Sequence, residues 1–165
     1  MPQTTLARIA GRCAYVSGVL SIFGIVFLFV FFAVGEPWGT LNDIVIVPQY
    51  LLALPIAVAL HQLLRSRAPL LSLVAILVGI IGILAVTVLQ LLLISRVLTF
   101  AQQGLPVSLA IFLGVGGWIL IVGYLGRTTG TLRHSLLLAV LGWSGFGYPI
   151  WAFGLGRQLL AASRN

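Results

Sequence analysis

The residues able to do chemistry in this chain are few and far apart. His61 and His134 are its only histidines. Two imidazoles on different helices can serve as axial ligands of a haem, or hold a pigment. Neither has a cysteine or carboxylate at ligand spacing, so no metal site is expected, and haem or pigment ligation stays an alternative to a pair of interfacial histidines. Glu36 and Asp43 are the only acids, on either side of Pro37-Trp38-Gly39. Paired carboxylates can divide acid and base work between them, yet no histidine or polar cluster adjoins these two. Capping of a helix by Thr40, Asn42 and Asp43, with an ion pair to Arg96, accounts for the same residues without catalysis. The single cysteine, Cys13, cannot form a disulfide within the chain and reads as a small residue at the end of an apolar run. The chain is accordingly read as non-enzymatic, with no catalytic residue.

The remaining polar candidates carry no charge. Gln49, Tyr50, Gln90, Trp143 and Tyr148 would line a ligand cavity if the protein were a transporter or a lipid- or quinone-binding protein. Pro48 and Pro55, and the glycines and proline between Gly142 and Gly154, supply the helix discontinuities that such cavities use. The simpler alternative is a hydrogen bond between Gln49 and Gln90 on neighbouring helices.

The elements that position these residues follow from composition. The chain has 165 residues, 61% hydrophobic and 7% charged, with nine basic and two acidic side chains and a mean hydropathy of +1.19. A soluble domain carries roughly 25% charged residues. The basic residues, all arginines, stand singly or in pairs between apolar runs, so the net charge of +7 marks the edges of a membrane protein and not a nucleic-acid surface. About 20 apolar residues cross the hydrocarbon core as a helix. Five segments approach that length: Cys13–Val34, Ile44–Leu64, Leu70–Ile94, Val107–Leu125 and Leu136–Leu155. The expectation is an all-α polytopic transmembrane bundle over 1–165 as one domain, with five spans. The alternative is four spans with a re-entrant or interfacial C-terminal segment, since Gly142, Gly145, Gly147, Pro149 and Gly154 interrupt the fifth.

Arginine placement orients the bundle. With a cytoplasmic N-terminus, five crossings put Arg8, Arg12, Arg65, Arg67, Arg127 and Arg133 inside, against anionic head groups. Arg96, Arg157 and Arg164 then lie outside with both acids, as does the C-terminus. Under the re-entrant alternative the split becomes eight inside to one outside. Trp38 and Trp151 are expected near the outer interface, Tyr15 and Tyr124 near the inner one. Small residues recur at helical spacing for close packing: Ser72, Ala75, Gly79 and Gly82 in the third span, and Ala110, Gly114 and Gly117 in the fourth. The middles of the five segments hold no Asp, Glu, Lys or Arg, which removes the usual basis for a proton relay or voltage sensor.

The stretch Gly39-Thr40-Leu41-Asn42-Asp43 running into Pro55-Ile56-Ala57-Val58-Ala59-Leu60-His61-Gln62-Leu63-Leu64-Arg65 resembles uncharacterised small multi-pass proteins of bacterial inner membranes. The resemblance implies a helical inner-membrane protein and no activity. The leading functional expectation is a non-catalytic accessory or scaffold subunit, packing against other membrane subunits or against itself. The transporter or lipid/quinone-binding reading is the alternative.

Overall fold

The computed structural model describes residues 3–132, 135–143 and 146–163, and every regular element among them is helical. In chain order these are α1 (Gln3–Val34), α2 (Trp38–Leu51), α3 (Ala53–Leu64), α4 (Pro69–Ile94), α5 (Phe100–Leu109), a π-helical segment (Ala110–Gly116), α6 (Gly117–Thr128), α7 (Ser135–Trp143) and α8 (Tyr148–Ala162). Four of the resulting helices are long and apolar enough to cross a membrane: Thr4–Val34, Trp38–Leu64, Pro69–Ile94 and Phe100–Thr128. The protein is therefore built as an integral membrane protein.

Each crossing has a local cause. α1 stops at Gly35, whose φ of +84° lets its N–H reach the Phe31 carbonyl at 2.8 Å; only glycine enters that left-handed region without a steric penalty. α2 and α3 form one crossing with a break at Leu52. Pro55 has no N–H to offer the Leu51 carbonyl, and its ring crowds that turn. The fourth crossing starts earlier than the sequence suggested. Thr99 and Gln102 close a reciprocal capping box at the start of α5, which then runs through Gly104 and Pro106. α4 ends at Ile94, where the third apolar segment was expected to end. The Thr99-Phe100-Ala101-Gln102 spacing is the visible signal for that start.

Small residues set how closely the crossings approach. Ser72, Ala75, Gly79 and Gly82 are all buried along one face of α4. A Cβ on Gly79 would meet the Trp118 ring at 2.7 Å, and one on Gly82 would lie 2.7 Å from the Gly114 Cα. Backbone thus touches backbone where α4 crosses the π-helical turn, a wider winding that glycine permits. Ala110 and Gly117 flank this contact and are only half-buried.

The fifth apolar segment is not one helix. α7 and α8 pair with one another in reverse order, Gly142 against Trp151 and Leu138 against Gly154. α7 also runs antiparallel to α6, with Ala139 on Gly123 and Trp143 on Gly116. α8 runs antiparallel to the first half of α1, where Phe153 meets Gly18 and Leu160 meets Gly11. The segment is a helical hairpin wedged between α1 and α6, and α8 ends at the same end of the bundle as the start of α1. At nine residues, about 14 Å at 1.5 Å per residue, α7 is too short to cross. Where a single helix was expected over 136–155, the described residues form α7 and α8, with a turn at Phe146 and Gly147 ahead of Tyr148. Trp151 moves accordingly. It is 3% exposed, edge-on to Trp118 at 5.6 Å, and not at an interface. Trp38 is half-buried against Phe27, while Tyr15 and Tyr124 are exposed.

The close approach at Gly82 makes a test. Gly82→Leu must push two backbones apart and should cost about 3 kcal/mol or more, read as a lower unfolding midpoint or loss of the monodisperse peak in detergent. Gly104→Leu, where a Cβ meets nothing within 4 Å, should leave both unchanged.

Candidate functional site

The polar side chains offered by the sequence fall into three places. The first is a seam where α1, α2 and α8 meet. The Ser17 hydroxyl is 2.7 Å from the Tyr148 hydroxyl and donates to the Gln49 carbonyl at 3.1 Å. Ser17, Gln49, Tyr50 and Tyr148 are all buried there. The small Ser17 permits this approach, and burial away from water makes its hydrogen bonds obligatory.

The second place joins α4 to α5. Gln90 does not reach Gln49. Its Oε1 instead accepts from Gln103 Nε2 at 2.9 Å, with both residues buried. The expected Gln49–Gln90 bond is thereby replaced, because the earlier start of α5 brings Gln103 to the same depth as Gln90. Thr87 turns back on its own helix and donates to the Ile83 carbonyl at 2.8 Å. Trp143 lies elsewhere, exposed and edge-on to Phe112 at 5.9 Å. Gln49, Tyr50, Gln90, Trp143 and Tyr148 therefore do not gather around one space. Among the described residues, every buried side-chain nitrogen and oxygen has a hydrogen-bond partner.

The third place is the basic end. His61 Nδ1 lies 3.0 Å from the Ser72 hydroxyl, tying α3 to the start of α4. His134 and Arg133 lie outside the described residues, as does Ser144. No group of three or more His, Cys, Asp or Glu that could hold a metal occurs among the described residues. Arg67 donates to the Thr129 carbonyl at 3.1 Å and links the two loops at this end. Arg8 and Arg12 line an open hollow with Leu160 and Ser163. Arg65 borders another beside His61, and Arg127 is exposed in the last turn of α6.

The opposite end holds what sequence reasoning missed. A cleft of about 640 Å³ opens between α1, α2, α4 and the start of α5. Both acids of the chain, Glu36 and Asp43, line it together with Arg96. The expected ion pair is absent, since no Arg96 nitrogen comes within 4.0 Å of either carboxylate. The capping also differs. Glu36, not Thr40 or Asp43, caps α2 by accepting from the Thr40 backbone N–H at 3.2 Å and the Thr40 hydroxyl at 3.0 Å, both at Oε2. Asn42 is buried and donates to Asp43 Oδ1 at 3.4 Å. Arg96 has a φ of 60°. It occupies the left-handed position of a Schellman turn that ends α4, with the Arg96 N–H on Leu93 and the Val97 N–H on Leu92. A side chain in that conformation costs roughly 1–2 kcal/mol, and here it places the guanidinium at the cleft. The expected ion pair had already brought residues 36, 43 and 96 together; the open cleft between them has no counterpart in a sequence motif.

No known protein family, curated protein or solved structure matches this chain.

The two buried bonds respond differently to mutation. Tyr148→Phe leaves Ser17 its bond to Gln49 and should cost about 0.6 kcal/mol. Gln103→Leu strands Gln90 and should cost about 1–3 kcal/mol. Unfolding in mixed micelles with increasing dodecyl sulfate would rank the two, and the reverse order would contradict this bonding.

Proposed function

We propose that this chain is a non-catalytic accessory or scaffold protein of a bacterial inner membrane, acting by helix packing against other membrane subunits or another copy of itself. One observation carries the reading: among the described residues, no fully buried side-chain nitrogen or oxygen lacks a hydrogen-bond partner. A transport path needs polar groups that exchange partners with the cargo. Several of those in this bundle bond one another, as in Ser17 with Tyr148 and Gln90 with Gln103. The middles of the crossings contain no charged residue to couple to an ion gradient. What the chain offers its surroundings is a broad apolar flank, including Val19, Phe23, Val26 and Phe29 of α1, all exposed.

Four crossings and a re-entrant α7–α8 hairpin accompany this reading, with both termini on the cytoplasmic side. The support is electrostatic. The antiparallel order of the helices groups Arg8, Arg12, Arg65, Arg67, Arg127 and Arg157 at one end of the bundle, and Arg96 with the two acids at the other. Basic residues are retained on the cytoplasmic side during insertion. Five crossings would send Arg157 outward and weaken that bias.

Two measurements test these statements. Reporters fused after Asn165 and inserted between Val34 and Trp38 should read cytoplasmic and external respectively; an external signal from Asn165 would restore the five-span topology. Purified chain in liposomes should dissipate imposed proton and sodium gradients no faster than empty vesicles, and dose-dependent dissipation would reject the scaffold role.

A further inference from the structure

We propose that the cleft at the acidic end is a binding site for one membrane lipid, a phospholipid whose head group carries both a phosphate and a primary ammonium, phosphatidylethanolamine. The chain has two acids in all, and both line this cleft with an arginine that neither of them neutralises. Opposite charges held apart in one hollow complement a zwitterion better than a simple cation or anion. The hydrogen bonds leave room for a guest. Glu36 accepts only at Oε2 and Asp43 only at Oδ1, so Glu36 Oε1 and Asp43 Oδ2 have no donor among the described residues. A primary ammonium has three N–H donors to offer these oxygens. On the other wall, Arg96 presents a planar fork suited to phosphate, and the N-terminal end of α5 adds a positive dipole beside it.

The apolar part of the wall selects a lipid over a free head group. Leu28 and Phe31 of α1, Leu93 of α4 and Phe100 of α5 line the same cleft as the charges. Phe100 is 65% exposed, and Phe32 beside Phe31 is 71% exposed. The ends of these crossings lie at head-group depth, where a phospholipid brings its charged group and the start of its acyl chains together. The volume, about 640 Å³, lies in the usual range of small-molecule sites, roughly 300–1,000 Å³.

The full chain, purified in a mild detergent, would be titrated with phosphatidylethanolamine, phosphatidylcholine and phosphatidylglycerol of identical acyl chains, and bound lipid counted by native mass spectrometry. The proposal expects phosphatidylethanolamine to bind about tenfold more tightly than the other two. The choline lipid keeps the charge but has no N–H, and the glycerol lipid has no cation. The double variant Glu36→Gln, Asp43→Asn should lose the discrimination, whereas Arg96→Gln should weaken phosphatidylethanolamine while both carboxylates remain. Equal binding of the three lipids by the unaltered chain would overturn the proposal, a comparison that does not depend on whether any variant folds. Displacement of bound lipid by millimolar glycerophosphoethanolamine, which lacks acyl chains, would overturn the lipid assignment.

Discussion

Inside a bilayer there is no water to accept or donate a hydrogen bond, and each polar group placed there must find its partner in the chain itself. That constraint explains the interior of this protein. Ser17 serves Tyr148 and Gln49, Gln103 serves Gln90, Thr87 folds back on Ile83, and Ser135 of α7 donates to the Gly123 carbonyl of α6 at 2.8 Å. It also explains where irregular backbone is found. The break at Leu52 is a single residue whose own N–H still reaches the Pro48 carbonyl at 3.0 Å.

With polar bonds confined to a few points, surface fit holds the rest together. Lipid tails are as apolar as leucine, so helices associate through close contact and not through exclusion from solvent. The contact of Gly82 with Gly114 brings α4 against the fourth crossing, and the buried Trp118 covers the neighbouring Gly79. Trp118, Trp151 and Tyr148 then form an aromatic block where the hairpin joins the other helices, with Trp151 5.6 Å from Trp118 and 5.4 Å from Tyr148. The centre is thus filled by side chains from α4, α6 and α8, and the functional possibilities move to the two polar ends.

Much of the architecture was legible because hydropathy and arginine position are averages over many residues. Four apolar crossings and the small face of α4 emerge from such patterns. What escaped depends on single contacts. The start of α5 was hidden by Gly104 and Pro106, two residues that usually end helices, although Thr99 and Gln102 signalled the opposite. Misplacing that start made Gln49 the partner of Gln90 instead of Gln103. The hairpin was visible as an alternative through its glycines, yet the choice rests on pairs such as Leu138 with Gly154 that no local pattern encodes. In the same way Trp151 resembles an interfacial tryptophan by its place in the chain, and only the return of α8 against α1 makes it a core residue. The expected ion pair placed Arg96 with Glu36 and Asp43, but the hollow between them escaped, because it depends on a left-handed turn at Arg96 that ordinary preferences would assign to glycine.

The return of α8 onto α1 sets an order in time. Ser17 and Tyr148 are separated by 131 positions, so α1 must wait for α8 before the face it turns to that helix is covered. At ordinary rates of synthesis that interval is on the order of ten seconds. Throughout it, the face of α1 at Gly11 and Gly18, against which Leu160 and Phe153 pack in the finished fold, is open to lipid or the insertion machinery. The nascent protein therefore passes through a stage with an unsealed flank, open to a chaperone or a neighbouring chain, that the mature molecule no longer displays.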